Sequence, residues 1–599
     1  MTVREYGVPA RQPRDPSHNL TDLVESFAQE QPDKIAFSRL AGETWQDVTA
    51  REFRDEVLAL AKGLVAAGIQ PGDRVALMSA TRYEWTLADF AIWFAGAVTV
   101  PIYETSSPEQ VAWILSDSRA TACFVDRATH EETVGTLRSD LPRLGPVWVF
   151  DHGVVDELVR LGTDVPDERI EKRRRTLTGE SLATVIYTSG TTGRPKGCEL
   201  THANFADPAA EAVARLNVVV AGPDASTLLF LPLAHVFARF IQVICLEARA
   251  RMGHSSSVKN LLADLSAFRP TFVLAVPRVF EKIYNSSDAI AVAGHRGGIF
   301  RRAARTAIEY STALESGGRG PGRGLRVRHA IFDRLVYARL RAALGGKVAW
   351  AVSGGAPLGA RLGHFFRGIG VTVLEGWGLT ETTAAVSVNC PDRIRVGTVG
   401  LPLPGVSVSV AEDGELLVRG LNVMRGYHND AEATAEAFVD GWFRTGDLGE
   451  IDDDGFITIT GRKKELLVTA GGKNVAPTAL EDRLRSHPLI SQCMVVGDDR
   501  PYIAALITLD AEMLPIWLVN HGREPMDVAT AAEDPGVRAA VQAAVDRTNH
   551  SVSRAESIRR FAILDTDFTE AGGQLTPKQS LRRAVVSQEF AAAIEALYR

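Results

Sequence analysis

Hydrophobic and polar residues alternate along the chain with two periods, which predict helices and strands in turn. Between residues 51 and 68 apolar side chains recur at a helical spacing, and Gly68 with the following Pro71 predicts the helix end. Short apolar runs without that spacing predict buried strands. These runs are 74–78, 97–102, 122–125, 147–150, 272–276 and 348–352, and a further helix is predicted at 83–96. The alternation predicts an α/β fold with a mostly parallel, doubly wound sheet.

The pattern changes toward the C-terminus. After residue 398 short strands and turns replace the alternation, with a hairpin signal at 412–415. Beyond residue 461, a helix start at Pro477, apolar runs at 493–496 and 505–509, and a later helix face at 537–545 predict a small α+β unit. We therefore predict two domains, residues 1–461 and 462–599.

Composition narrows the class of protein. The chain has 599 residues, which exceeds one domain of roughly 150 residues and predicts several lobes. A formal net charge of −7 argues against nucleic acid as a partner. The five cysteines have no paired spacing, so we expect reduced thiols in a cytoplasmic protein. The longest apolar run, 90–100, is shorter than the ~20 residues that span a bilayer, so any membrane contact is expected to be peripheral.

One segment is strongly basic. Residues 294–347 contain twelve lysines and arginines against three acidic residues. This charge indicates either attraction to anionic lipid or to coenzyme A phosphates, or a solvated helix face next to a mobile loop.

A glycine-rich segment at 187–197 carries the strongest chemical signal. It holds three glycines, four serine or threonine residues and two cations directly after an apolar run. Glycines allow successive backbone N–H groups to converge on an anion, and phosphate is the usual guest. The segment is not a Walker A loop, because Lys196 is followed by glycine and cysteine. A flexible surface turn is the alternative interpretation.

Five further motifs follow in a fixed order. They are Leu-Pro-Leu-Ala-His-Val at 231–236, Ser-Gly-Gly-Ala-Pro-Leu at 353–358, Gly-Trp-Gly-Leu-Thr-Glu-Thr at 376–382, Thr-Gly-Asp at 445–447 and Gly-Arg-Lys-Lys-Glu at 461–465. Together with the glycine-rich segment they resemble the adenylate-forming superfamily, and within it bacterial long-chain fatty-acid–CoA ligases. The resemblance implies a large N-terminal domain with a small barrel-like lobe, and a small mobile C-terminal domain.

The resemblance also assigns roles to residues. Phosphate and nucleotide binding falls to Thr188, Ser189, Gly190, Thr191, Thr192, Gly193, Lys196, Gly354, Gly355, Ala356, Gly376, Trp377, Gly378, Thr380, Asp447 and Arg462. Trp377 is expected to stack on adenine, while Asp447 and Arg462 contact the ribose. Glu381 is the expected Mg²⁺ ligand, because a hard carboxylate oxygen suits that ion. Thr188 is also assigned to catalysis.

Three more expectations concern the acyl and thiol sites. His235 is either a mobile gate of the acyl pocket or a satisfied core residue. Lys464 matches the hinge about which the small domain rotates, and Gly471, Gly472 and Lys473 resemble the segment that lines the coenzyme A channel. The 231–236 motif lacks the aspartate that pairs an amino group in related amino-acid adenylating domains, so a zwitterionic substrate is disfavoured.

The sequence departs from the resemblance at the catalytic lysine. The family motif Leu-Thr-Pro-Thr-x-Lys is replaced by Leu-Thr-Pro-Lys-Gln-Ser at 575–580. Ser580 therefore stands at the lysine position, and Lys578 is the candidate for its role, with Arg582 as a weaker one.

The expected function is ATP-dependent activation of a fatty acid through acyl-AMP, then thioester formation with coenzyme A. The cofactors implied are ATP, Mg²⁺ and coenzyme A as co-substrate, and the protein is expected to be a monomer or homodimer. Two alternatives stay open: an acyl-AMP ligase that loads a carrier protein, and a catalytically impaired nucleotide- or acyl-binding homologue.

Overall fold

A computed structural model describes residues 4–11, 15–42, 44–188, 194–256, 260–315, 320–576 and 580–599. The N-terminal domain is built around four sheets. The largest has seven strands, in the order Gly426–Tyr427, Lys196–Thr201, Leu182–Thr188, Val98–Ile102, Arg74–Met78, Ala122–Val125 and Val147–Val149. The last five run parallel, whereas Lys196–Thr201 returns antiparallel to Leu182–Thr188. The predicted strands at 74–78 and 122–125 are confirmed in position.

The second sheet of the N-terminal domain has five strands. Its order is Phe272–Ala275, Trp350–Ser353, Thr372–Trp377, Ser387–Val388 and Leu401–Pro402, with the first three parallel. A four-stranded sheet has the order Ser226–Leu229, Arg251–His254, Ile35–Ala41 and Thr44–Thr49. The strands Phe272–Ala275 and Trp350–Ser353 are parallel, and burial on both faces of a parallel sheet explains why they occur as continuous apolar runs.

The fourth sheet occupies the region expected to be barrel-like. It is antiparallel, in the order Glu5–Val8, Val406–Val410, Glu415–Gly420, Trp442–Ile451 and Phe438–Val439, and Ile457–Arg462 also pairs with Trp442–Ile451. The hairpin predicted at 412–415 joins two of these strands. Within the described residues no pairing joins the two ends of the sheet, so this lobe is an open sheet and not a closed barrel.

Helices cover the sheets of the N-terminal domain. They are Leu20–Glu30, Ala50–Ala66, Tyr83–Phe94, Pro108–Asp117, Ala128–Thr136, Val154–Leu161, Asp167–Arg175, His202–Arg215, Asn217–Val220, Val236–Glu247, Leu261–Phe268, Pro277–Ala293, Gly297–Glu315, Arg323–Phe332, Ala338–Ala343, Ala360–Gly368 and Ala431–Ala437. Ala50–Ala66 begins where Thr49 and Glu52 cap each other's backbone N–H groups. Of the helices in the part described, none is both long and apolar enough to cross a membrane.

The C-terminal domain has its own core and sheet. Ile490–Val496, Ile503–Leu509 and Ile558–Ile563 form the sheet, and Leu467–Val468 pairs with Asn474–Val475 in a hairpin. The helices are Pro477–Arg485, Met513–Asn520, Val528–Glu533, Pro535–Asn549, Arg583–Glu589 and Ala591–Ala596. Its buried apolar residues form clusters separate from the main core, which confirms a separate α+β domain. The boundary at residues 461 and 462 stays a prediction.

Candidate active site

A cleft between the two domains collects ten of the residues that the motifs selected. Its cavity measures 2380 Å³ and is lined by both domains. The predicted residues that line it are His235, Gly354, Gly355, Ala356, Gly376, Trp377, Gly378, Asp447, Arg462 and Lys464. The motifs at 353–358 and 376–382 meet because their strands, Trp350–Ser353 and Thr372–Trp377, are parallel neighbours and end at the same edge of the sheet.

The two strands that flank the predicted phosphate loop form an antiparallel pair. Leu182–Thr188 pairs with Lys196–Thr201, and Thr188 lies opposite Lys196. The loop therefore leads into a strand, whereas a Walker A loop leads into a helix. Outside the described residues lie Ser189, Gly190, Thr191, Thr192 and Gly193, so their contacts with phosphate stay predictions.

Trp113 fixes the far end of this loop. Its indole N–H donates a 2.8 Å hydrogen bond to the carbonyl oxygen of Pro195, and the guanidinium of Arg194 lies 4.8 Å from the ring centre. All three residues line the cavity. No sequence motif marks Trp113, because a tryptophan in a partly buried helix carries no signal for a contact 82 positions away.

A buried ion pair supports the strand that leads into the loop. Arg239 and Asp89 are 1% and 0% exposed, and two hydrogen bonds of 2.6 and 3.1 Å join them. Arg239 also donates a 2.6 Å bond to the hydroxyl of Thr184 in Leu182–Thr188. An aspartate within an apolar helix is a sequence signal for a buried ion pair, since a buried carboxylate needs a partner. The network therefore ties the strand Leu182–Thr188 to helices Tyr83–Phe94 and Val236–Glu247.

Trp377 and Asp447, which the sequence treated separately, are joined directly. The indole N–H donates a 2.7 Å hydrogen bond to Oδ2 of Asp447, and Nε of Arg462 lies 2.9 Å from Oδ1. Burial lowers the pKa of Arg462, but the carboxylates of Asp447, Glu465 and Glu381 outweigh it and raise that pKa above its usual value. Each carboxylate oxygen has two lone pairs and is able to accept a second hydrogen bond. The contacts of Asp447 and Arg462 with the ribose stay a prediction.

Glu381 lies in the turn Thr380–Thr382, outside the cavity lining of the described residues. The hydroxyl of Tyr427 donates a 3.1 Å hydrogen bond to Oε1 of Glu381, and Nζ of Lys196 lies 5.2 Å from the centre of the same tyrosine ring. Mg²⁺ is commonly held by one or two carboxylates together with substrate phosphates. Glu381 supplies one such carboxylate, and its role as the Mg²⁺ ligand stays a prediction.

Gly378 is required for the backbone to turn at this point. A Cβ atom there would lie 1.8 Å from the carbonyl oxygen of Ala384. The chain doubles back, and the N–H of Val386 donates a 2.8 Å hydrogen bond to the carbonyl oxygen of Trp377. The glycine therefore holds the Glu381 turn against the strand that carries Trp377.

His235 lies at the start of helix Val236–Glu247. Its Nδ1 accepts a 3.1 Å hydrogen bond from the backbone N–H of Phe237, and the ring lines the cavity. Phe230, Leu231 and Phe237 line the same wall, so this side of the cleft suits an apolar chain. The ring acts as a helix cap at the cavity wall, and its role as a gate stays a prediction.

Two carboxyl groups missed by the sequence analysis face the cleft from opposite domains. Burial raises the pKa of Glu375 to about 7, and the backbone N–H of Leu358 donates a 3.0 Å hydrogen bond to its Oε1. Burial also raises the pKa of Asp482 in the C-terminal domain to about 6, against the opposing charge of Arg485. No motif marks them, because their proximity arises only when the domains meet.

The residues on either side of Lys464 are tied to different domains. Nζ of Lys463 lies 2.5 Å from Asp413 and 3.0 Å from Glu415 in the N-terminal domain. Glu465 lies 3.8 Å from Arg583 in the C-terminal domain. Lys464 thus stands between two anchored neighbours, and its role as the hinge stays a prediction.

The segment around residues 576–580 of the C-terminal domain borders the cleft, whereas the hairpin turn at 471–473 does not. Thr576 and Ser580 line the cavity on either side of residues 577–579. Lys578 lies outside the described residues, so its role stays a prediction. Gly471, Gly472 and Lys473 are exposed in the hairpin turn, with Lys473 3.3 Å from Glu556, and they are not part of the described cavity lining.

Comparison with known proteins identifies the family. A model of AMP-binding enzymes matches residues 24–428, and a model of the AMP-binding enzyme C-terminal domain matches residues 464–599. The chain belongs to the AMP-binding enzyme family, which confirms the resemblance drawn from the motifs. It is 49% identical over 600 residues to the long-chain-fatty-acid–CoA ligase FadD15 of Mycobacterium tuberculosis, with 100% of both chains covered. It is 30% identical over 600 residues to the long-chain-fatty-acid–CoA ligase ACSBG1 of Rattus norvegicus, with 93% and 82% covered.

Solved structures share the fold. The anthranilate CoA ligase AuaEII in complex with anthranoyl-AMP has a TM-score of 0.72 at 20% identity, covering 97% of this chain and 99% of that one. The O-succinylbenzoate coenzyme A synthetase of Bacillus subtilis in complex with ATP and magnesium has a TM-score of 0.66 at 20% identity, covering 95% and 99%. At these identities the similarity establishes the fold alone.

Proposed function

We propose that the protein is a long-chain fatty-acid–CoA ligase that works through acyl-AMP. The observation that carries this proposal is the 49% identity with FadD15 over the whole length of both chains. The cleft supports it, because a phosphate-loop hairpin, the Asp447–Arg462 pair and an apolar wall meet around one cavity.

In the first step a carboxylate oxygen of the fatty acid attacks the α-phosphorus of ATP. The bond from that phosphorus to the bridging oxygen breaks, and pyrophosphate leaves with the electron pair. Negative charge grows on the phosphates, so fixed donors and cations lower the barrier. The loop after Thr188, with Lys196 and Lys578, supplies them, and Asp447 with Arg462 holds the ribose. Mg²⁺ bound by Glu381 and phosphate oxygens would neutralise part of the charge.

In the second step the thiol of coenzyme A attacks the acyl carbon. The thioester bond forms, the bond from the acyl carbon to the phosphate oxygen breaks, and AMP leaves. Rotation about Lys464 brings Gly471, Gly472 and Lys473 to the cleft and removes the 575–582 segment. The separate anchoring of Lys463 and Glu465 fits a hinge between them.

An amino acid is a competing substrate, and a carrier protein is a competing acceptor of the acyl group. The 231–236 motif contains no carboxylate to pair with the amino group of an amino acid, which disfavours such a substrate. A carrier-loading ligase would accumulate acyl-AMP when coenzyme A is abundant. An impaired homologue, which Ser580 would explain, would bind ATP without acid-dependent exchange of pyrophosphate.

An assay of AMP release across free acids from acetate to stearate tests the proposal. We expect AMP release that needs both coenzyme A and a long-chain acid. Release that is independent of coenzyme A, or a preference for acetate, would contradict it.

We also propose peripheral contact with an anionic membrane through the helical surface around residues 323–339. Val327, Ile331 and Leu335 are 60%, 52% and 54% exposed, and their spacing of four places them on one face. Arg323 and Arg334 are exposed beside them. Apolar side chains with flanking arginines suit the boundary of an anionic bilayer. A cytoplasmic location and the oligomeric state stay predictions.

Vesicle co-sedimentation tests this contact. We expect binding to phosphatidylglycerol vesicles that falls severalfold in the Val327→Asp, Ile331→Asp double variant, while AMP release from a dissolved acid is unchanged. Equal sedimentation of both proteins would contradict it.

A further inference from the structure

A second cavity, of 420 Å³, lies between the domains and apart from the candidate active site. Helices Pro277–Ala293 and Ala360–Gly368 form one side, and Pro477–Arg485 and Pro535–Asn549 of the C-terminal domain form the other. No lining residue of the described chain is common to the two cavities. We call it the interdomain cavity.

Three arginines from both domains line the interdomain cavity. They are Arg361 of the N-terminal domain and Arg483 and Arg547 of the C-terminal domain. None of them forms an ion pair with a carboxylate of the described residues. Arg361 lies 4.7 Å from the ring centre of Tyr284, a contact that orients its guanidinium group.

One carboxyl group opposes the three arginines of the cavity. Asp288 is its one described acidic residue; burial raises its pKa, against the nearby charges of Arg301 and Arg361, and its buried Oδ1 has no hydrogen-bond partner. Burial lowers the pKa of His487 to about 4, so this ring is neutral at pH 7. The cavity therefore carries net positive charge at neutral pH.

Two buried polar side chains face the cavity without a partner. Asn285 is 7% exposed and Thr548 is 3% exposed. In the described part of the chain neither side chain makes a hydrogen bond. Both side chains line the cavity and are available to a ligand that binds there. An amide and a hydroxyl group are both able to donate to an oxyanion.

We propose that the interdomain cavity binds a small phosphate-bearing anion. Guanidinium groups match phosphate oxygens in pairs, and the volume lies within the roughly 300–1,000 Å³ common for small-molecule sites. The source is either free inorganic phosphate or the phosphate of a nucleotide. Because both domains supply ligands, the anion binds this domain arrangement in preference to any rotated one and stabilises it. The consequence for turnover rests on the proposed two-step function, whereas the binding itself does not.

Calorimetric titration of the full chain with inorganic phosphate, in the absence of any nucleotide, tests the binding, because a phosphate bound at the active site would be retained in a variant of the interdomain cavity. We expect one phosphate per chain, bound at least tenfold more weakly by the Arg361→Gln, Arg547→Gln double variant. The exposed Arg559, which lies outside both cavities, provides the matched control Arg559→Gln. Equal affinity in wild type and double variant, or no binding by wild type, would overturn the proposal.

Two further measurements identify the chemical source of the bound anion and its effect on thioester formation. Tighter binding of adenosine 3′,5′-bisphosphate than of phosphate would assign the site to a nucleotide, and equal binding would assign it to free phosphate. Phosphate should slow thioester formation severalfold in wild type and not in the double variant. An unchanged rate with phosphate bound would overturn the stabilising effect. Binding in a protein that forms no thioester would overturn the proposed function and leave the site standing.

Discussion

The indole N–H of Trp377 donates a 2.7 Å hydrogen bond to Oδ2 of Asp447, and this contact connects two motifs 70 positions apart. Trp377 ends a strand of the five-stranded sheet, and Asp447 lies in the antiparallel lobe. The bond orients the carboxylate, and Arg462 holds its other oxygen 2.9 Å away. The expected adenine and ribose contacts therefore form one unit, and neither motif acts alone.

Replacing Asp447 should weaken ATP binding strongly. In Asp447→Ala two charge-assisted hydrogen bonds to the ribose are lost, each worth ~1.5–3 kcal/mol, so affinity should fall about 100-fold or more. Trp377→Phe keeps the carboxylate of Asp447 but removes the hydrogen bond to its Oδ2, so this variant should lose less affinity for ATP. Fluorescence titration with ATP measures both, and wild-type affinity in Asp447→Ala would contradict the ribose assignment.

Replacing Glu381 should change the Mg²⁺ requirement. Glu381→Gln removes the charge that binds the ion but keeps a group able to accept from Tyr427. The Mg²⁺ concentration for half-maximal ATP–pyrophosphate exchange should rise at least tenfold. Tyr427→Phe is the matched control and should shift it less. An unaltered Mg²⁺ dependence in Glu381→Gln would remove this residue from the metal site.

Lys578 should act on chemistry and not on binding. Lys578→Ala should suppress acid-dependent ATP–pyrophosphate exchange by a factor of about 100, while ATP affinity stays within twofold, because the lysine is expected to meet the α-phosphate only during adenylation. Arg582→Ala, at another cavity-lining position of the same segment, is the control and should retain most of the exchange. If Arg582→Ala abolishes exchange and Lys578→Ala does not, the two assignments are reversed.

Asp89 and Arg239 should stabilise the N-terminal domain only when both residues are present. Asp89→Ala leaves a buried guanidinium unpaired and should lower the free energy of unfolding by about 3–5 kcal/mol. The double variant Asp89→Leu, Arg239→Met should lose less than Asp89→Ala. Urea unfolding measures the difference, and a larger loss in the double variant would contradict the account.

Glu375 should make stability depend on pH. Its pKa rises from 4.5 to about 7 on folding, so the folded state binds more protons between these values and stability falls as pH rises through that window. Glu375→Gln should remove this fall, with a gain over wild type of at most about 3 kcal/mol that is complete above pH 7. Thermal unfolding at pH 5 and pH 8, with the exposed Glu412→Gln as control, measures it. An equal gain in stability at pH 5 and pH 8 in Glu375→Gln would contradict the raised pKa of Glu375.

Elements with strong local patterns were predictable from the sequence. The strands Arg74–Met78 and Ala122–Val125 follow from apolar runs, and the helix Ala50–Ala66 follows from apolar residues at helical spacing with Gly68 and Pro71 after it. The open sheet at 405–462 was not predictable in detail, because strand pairing is set by partners far along the chain. Ten of the residues that the motifs selected meet at one cavity, whereas Glu381 and Lys473 lie outside its described lining. The contacts of Trp113, Asp89 and Glu375 depend on tertiary packing that leaves no local pattern.

The central claim is that a fatty-acid carboxylate becomes an adenylate before it meets coenzyme A. Palmitate labelled with ¹⁸O in its carboxylate, incubated with the protein, ATP, Mg²⁺ and coenzyme A, tests this by mass spectrometry of the products. The account predicts AMP that carries one ¹⁸O atom and palmitoyl-CoA that retains the other. Unlabelled AMP, or label in inorganic phosphate, would contradict it.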